Sequence, residues 1–170
     1  PNIADLINNF TIRTPDGFPV AKALSILTKQ NFPRVDGYKV FLQTIQDGLE
    51  RNRSHYFFGS DELTTELMIK NLKKNYPEIQ ISGYICPEFM ESDQLLEKYA
   101  KEIQNIDADI VWVSLGFPKQ EMFIDQVKKR IDINSNFVGI GGVFEWVAGT
   151  KKKAPEWVAD IGLEWLLRLV

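Results

Sequence analysis

Asp16, Arg34, Lys119 and the glycines Gly59, Gly116, Gly141 and Gly142 are the residues of this chain best suited to chemistry on an anionic substrate that also carries hydroxyls. The stretch Val111 to Glu121 is apolar, stops at Gly116 and restarts at Pro118-Lys119-Gln120. That pattern reads as a strand aimed at a site and followed by a helix. Pro118 fits the first helical position, where a missing N–H costs nothing. The free amides of such a helix start, with Lys119 beside them, suit a phosphate or another anion. Asp16, in Thr14-Pro15-Asp16-Gly17, is read as lying where a strand ends. It either caps the helix that follows or takes a proton from an attacking hydroxyl held in a cleft. Arg34, in a loop from Pro33 to Gly37, either grips a diphosphate with two donors or pairs with Asp36.

The remaining polar turns are less distinctive. Gly59-Ser60-Asp61 is a capped turn whose amides can touch a ligand. Gly141-Gly142-Val143-Phe144-Glu145-Trp146 reads as a glycine turn that lets the backbone come close to a ligand. Lys151-Lys152-Lys153 is either a solvated face or an anion contact ahead of a helix opened by Pro155. His55 heads a run of aromatics and reads as a packed residue. No cluster of His, Cys and acids has metal-ligand spacing, so no structural zinc is expected, and no cofactor is assigned.

These turns have to be held by an alternation of strands and helices. Helices are expected at Ile3 to Asn9, Ala21 to Leu27, Val40 to Arg51, after Ser60-Asp61, around Leu95 to Ile103 and after Pro118. A last helix is expected from Pro155, with Trp157, Ile161 and Trp165 on one face and Leu169 near its end. Strands are expected at His55 to Phe58, Ile79 to Ile85, Ile110 to Leu115 and Phe137 to Gly142, with Thr11 to Thr14 extended ahead of them. Right-handed crossovers between such units give an α/β fold, Rossmann-like, with a mostly parallel sheet and helices on both faces. Ligands in such sheets lie at the carboxyl ends of the strands.

The chain has 170 residues, 44% hydrophobic and 25% charged, the composition of one globular domain with a substantial core. A formal charge of −3 provides no general attraction to nucleic acid, so phosphate recognition has to be local. The lone Cys86 cannot form an internal disulfide, which fits a reducing compartment. No run of about 18 apolar residues is present to span a membrane. The start at Pro1 predicts a missing N-terminal part.

The motifs "TPDG", "RVDG", "GFPKQE", "GIGGVFEWVAGTKKKAP" and "GLEWLLRL" occur in the order and spacing of the WecG/TagA/CpsF glycosyltransferases, glycosyltransferase family 26, which this chain resembles from about Ala4 to Leu169. The resemblance implies an inverting, metal-independent transfer of a sugar, N-acetylmannosamine in several members, from a UDP-sugar to a polyprenyl-diphosphate-linked sugar. The product would feed wall teichoic acid, a common surface antigen or exopolysaccharide. The resemblance also implies a cytoplasmic enzyme, peripheral at the inner face of the bacterial membrane, with self-association in some members. It makes Asp16 the catalytic base, Gln120 an active-site residue and Arg34 a ligand contact, with leaving UDP stabilised around Lys119 and Arg34. Gly59, Gly116, Gly141, Gly142 and Glu145 complete the expected substrate contacts.

This chain departs from the family pattern in three places. Glu145 stands for a familiar aspartate, Lys153 for an arginine, and Lys39 for a frequent aspartate. An upstream Thr/Asn segment and a basic membrane-associating tail are expected to be missing from the single domain, residues 1–170. The rival reading is a catalytically degenerate sugar-nucleotide binder or a non-enzymatic α/β signalling domain. Against a receiver domain, the strand at His55 to Phe58 ends in glycine and serine where a phosphate-accepting aspartate would stand.

Overall fold

A computed structural model of the chain describes residues 2–155 and 158. It contains α1 (Ile3–Asn8), α2 (Phe18–Thr28), α3 (Gly37–Leu49), β1 (Ser54–Gly59), α4 (Glu62–Asn75), β2 (Gln80–Ile85), α5 (Ser92–Gln104), β3 (Ile110–Ser114), α6 (Lys119–Arg130), β4 (Asn136–Gly139) and α7 (Val143–Ala148). The four strands pair in the order β2-β1-β3-β4, and every pairing is parallel.

Adjacent residues of a strand point to opposite faces, and both faces here are apolar, as a doubly covered parallel sheet requires. Phe58, Val111 and Val113 pack with Leu95, Leu96 and Ile103 of α5 and Phe123, Ile124 and Val127 of α6. Phe57 and Trp112 pack on the other face with Phe41 and Ile45 of α3, Met68 and Leu72 of α4, and Val143 and Phe144 of α7. The ring of Phe58 stacks on Phe123 with centroids 4.5 Å apart. Burying such a pair stabilises the fold by about 1.5–3 kcal/mol per side chain. The register aligns Phe57 with Trp112 and Gly59 with Ser114, so β1 and β3 end level with each other.

The expected alternation holds, with four corrections. Thr11 to Thr14 belongs to no strand: Ile12 is 80% exposed, and no neighbouring strand pairs with the segment. Asp16 therefore lies in a loop, not at a strand end. The helix expected at Ala21 to Leu27 is α2, which starts earlier, at Phe18, and buries Ala21 while Leu27 is exposed. Pro118 is the N-cap of α6, one position before the first helical residue. The glycine turn after β4 runs into a helix, α7, instead of staying a loop. The expected helix carrying Trp157, Ile161, Trp165 and Leu169 lies outside the described residues.

Candidate active site

The turn after β4 is the centre of the candidate site. Gly141 adopts φ +55, and a Cβ there would meet nothing within 4 Å, so its outer side is open. Both of its backbone groups are held. Its N–H donates to Oε1 of Gln120 at 3.0 Å, and its carbonyl accepts from the Ser114 hydroxyl at 2.6 Å. Gln120 is only 6% exposed, its Nε2 donates to Oε1 of Glu121 at 2.8 Å, and its backbone N–H donates to the carbonyl of Gly116 at 2.9 Å. The glycine at 139 makes room for this amide: a Cβ there would stand 2.9 Å from Gln120 Nε2. The start of α6 is thereby joined, through one buried side chain, to the start of α7.

Asp16 lies against the start of α3, which packs near the start of α7. Its helix, α2, is capped by Gly17 without a side-chain bond. The Asp16 carboxylate instead accepts from the Gly37 N–H of α3, at 3.5 Å, and is exposed. A Cβ built on Gly37 would stand 3.8 Å from Asp16 Oδ2 and 4.0 Å from Val143 Cγ2. Asp16 and the Val143 side chain thus both lie beside Gly37, and Gln120 bonds Gly141, two residues before Val143.

Beside Asp16 lies an ionic cluster. Asp36 is the N-cap of α3, its Oδ1 accepting from Tyr38 N–H at 2.9 Å and Lys39 N–H at 3.4 Å. Its Oδ2 meets Lys153 Nζ at 2.5 Å and Arg34 Nη2 at 3.7 Å. Burial pushes the Asp36 carboxyl up, but the Lys153 ammonium and the two α3 amides outweigh it and hold the group below the usual carboxylate range. The Lys153 ammonium lies 4.6 Å from the Tyr38 ring centroid, and Tyr38 meets Trp146 of α7 edge to face at 6.4 Å.

The other expected residues are distributed around this centre. Glu145 pairs with Lys151 at 2.7 Å and reaches back to Gly142, whose built Cβ would stand 3.3 Å from its Oε2. The lysine run is therefore divided, with Lys151 on Glu145, Lys153 on Asp36 and Lys152 exposed. Gly116 is left-handed, at φ +77, with nothing near its Cβ position. Lys119 turns away toward the loop after β2, with its ammonium 4.3 Å from the Phe89 ring centroid. Gly59 has a reason of its own: at φ +125 a Cβ would stand 2.3 Å from the Ser114 carbonyl oxygen, so the close approach it permits is to β3.

His55 is 1% exposed and far from this chemistry, its Nδ1 accepting the indole N–H of Trp112 at 3.1 Å. Cys86 is half-buried, and burial pushes its thiol up. Among the described residues no group of three or more His, Cys, Asp and Glu is arranged to hold a metal ion, and no helix is long and apolar enough to cross a membrane. Sequence reading missed Ser114 and Tyr38 as parts of the site and gave Trp146 no role beyond its place in the glycine turn. It treated Asp36 only as a surface partner for Arg34. An aspartate just ahead of a helix is a legible cap signal, but nothing local predicts its bond to Lys153.

Comparison with known proteins adds an independent line. The profile described as "Glycosyl transferase WecG/TagA/CpsF family" matches residues 1–170. Three similar proteins all carry the name N-acetylglucosaminyldiphosphoundecaprenol N-acetyl-beta-D-mannosaminyltransferase. The Bacillus subtilis (strain 168) protein is 27% identical over 166 residues, covering 98% of this chain and 63% of the relative. The Bacillus spizizenii W23 protein is 26% identical over 170 residues, covering 100% and 64%. The Staphylococcus aureus NCTC 8325 protein is 28% identical over 167 residues, covering 96% and 63%. The chain spans less than two thirds of the length of these relatives.

Proposed function

Because the chain belongs to the WecG/TagA/CpsF family of glycosyl transferases, we propose that it transfers N-acetylmannosamine from a UDP-sugar to the N-acetylglucosamine of a polyprenyl-diphosphate acceptor. The names of its relatives supply the sugar and the acceptor class. The observation that supports the reading is that Gly37, which holds the Asp16 carboxylate, lies beside Val143, the residue that follows the open Gly141–Gly142 turn held by Gln120.

In this reading Asp16 accepts the proton of the acceptor hydroxyl as its oxygen attacks the anomeric carbon. The bond to UDP breaks in the same displacement, so the configuration inverts. Charge that develops on the leaving diphosphate is met by Arg34 and by the backbone around Gly116, Gly141 and Gly142, while Lys119, expected there, has its ammonium over the Phe89 ring. Glu145, folded over Gly142, borders the donor. Gly59 acts on the site only by letting β1 and β3 end side by side. A lipid-linked acceptor brings the protein to the inner membrane surface as a peripheral enzyme.

The test is a transfer assay on the full-length protein with UDP-N-acetylmannosamine and a lipid-diphosphate-N-acetylglucosamine analogue, alongside thermal shifts with UDP and ADP. A β-linked disaccharide product and selective stabilisation by UDP are expected. UDP binding without transfer, unaltered by Asp16→Asn, would replace the enzyme reading with a sugar-nucleotide-binding one. Absence of any UDP effect would remove both.

A further inference from the structure

We infer that Asp36 is a positioning residue for the candidate reaction: its single carboxylate gathers Arg34 and Lys153 and secures the start of α3, on which the Asp16 loop rests. This builds on the reading above, since the value of holding those two cations depends on an anion meeting them.

The two carboxylate oxygens have separate tasks. Oδ1 takes the amides of Tyr38 and Lys39, and Oδ2 faces Lys153 and Arg34. Capping alone needs one acceptor, which asparagine or serine would supply as well. The second oxygen brings in a lysine 117 residues further along the chain. The three side chains are 12%, 16% and 20% exposed, for Asp36, Arg34 and Lys153 respectively, so this is not a solvated surface pair of small effect.

The neighbours of Asp36 extend its reach to the candidate base. Val35 N–H donates to the Pro15 carbonyl at 2.9 Å, and Gly37 N–H donates to Asp16 Oδ1 at 3.5 Å. The residues on both sides of Asp36 are therefore bonded to the two residues of the Asp16 turn. Lys153 is fixed from a second direction by the Tyr38 ring, which in turn meets Trp146 of α7, the helix that follows the Gly141 turn. One carboxylate thus sets the mutual placement of a base and two cations drawn from three separate segments of the chain. Misplacing reacting groups by about 1 Å can cost about 100-fold in rate, which is the effect such a clamp would prevent.

The experiment compares Asp36→Asn with the parent protein, because asparagine keeps the helix cap and removes the charge. Lys153 is followed by an amine-reactive ester and mass spectrometry, with exposed Lys152 as the internal reference. Labelling of Lys153 relative to Lys152 should rise about fivefold or more in the variant, as the charge-assisted bond is lost. The melting temperature should fall by several degrees, because two mostly buried cations lose their counter-charge. In the transfer assay kcat should fall at least about tenfold while UDP binding stays within about threefold, as expected when orientation and not affinity is lost. Asp36→Ser, which caps without charge, should behave alike. Unchanged Lys153 labelling, kcat within about twofold of the parent at a temperature where both proteins are folded, or a loss of UDP binding as large as the loss of kcat would each overturn the inference. If the parent protein transfers no sugar, the proposed function fails. The labelling ratio then decides the clamp by itself.

Discussion

The indole N–H of Trp112 in β3 donates to Nδ1 of His55 in β1 across 3.1 Å, with both side chains almost completely buried. The bond requires an unprotonated Nδ1. Burial lowers the His55 pKa from 6.5 to about 4, and the charge of Asp109 opposes this only in part. The unfolded chain then binds the proton more readily than the folded one between these two values. The contribution of His55 to stability is complete above pH 6.5 and is lost as pH falls toward 4. At pH 5 the loss is about 2 kcal/mol. Urea unfolding at pH 7 and pH 5 checks this. His55→Gln, which keeps an acceptor but does not titrate, should flatten the difference, and an equal slope in the variant would show that other groups cause it.

Asp16→Asn separates the two tasks open to that carboxylate. The Gly37 N–H bond is long, at 3.5 Å, and exposed, and asparagine retains an acceptor for it. Stability should therefore change by less than about 0.5 kcal/mol. Removal of a general base should lower kcat by about 10²- to 10⁴-fold. A melt and a transfer assay on the same preparation decide the matter. A variant that loses stability and keeps its rate would make Asp16 a cap.

The glycines at the strand ends differ in what they tolerate. Gly59→Ala places a Cβ 2.3 Å from the backbone oxygen of Ser114, which cannot move without displacing β3, so at least about 3 kcal/mol should be lost. Gly116→Ala meets open space and bears only the cost of a left-handed residue, about 1–2 kcal/mol. Denaturant midpoints of the two variants check the order. If they are equally stable, Gly59 does not owe its place to β3.

Much of this molecule is legible in its sequence because strands and helices buried on one side or both leave periodic marks. Phe57 and Phe58, or Val111, Trp112 and Val113, could be recognised as a buried strand without knowing which residue faced which helix. The short helix α7 was not legible. Its six residues follow two glycines, have no side-chain cap, and are too few for periodicity to emerge. The extended look of Thr11 to Thr14 misled for the converse reason, since the proline after Thr14 favours extension but only a neighbouring strand makes a strand. Asp16, Arg34 and Gln120 stood out through their turns and motif resemblance. The bond between Asp36 and Lys153 joins residues 117 positions apart, and no local spacing encodes it.

Gln120 and Ser114 together test whether the Gly141 turn itself matters to the rate. Gln120 is buried with its carbonyl oxygen engaged by Gly141 and its amide nitrogen by Glu121, so in this arrangement it acts through the turn. Gln120→Ala leaves the Gly141 N–H without its partner and opens a void, which should cost about 2 kcal/mol of stability as well as activity. Ser114 holds the opposite side of the same residue through the Gly141 carbonyl and is not among the groups expected to touch substrate. If the turn must be fixed at φ +55 for the diphosphate to meet its backbone, Ser114→Ala should also lower kcat by about tenfold, with UDP affinity falling less. Kinetics of the two single variants and the double variant settle which view is right. A double variant no slower than Gln120→Ala alone means that both residues act through Gly141, whereas independent, multiplying losses mean that Gln120 also touches the substrate.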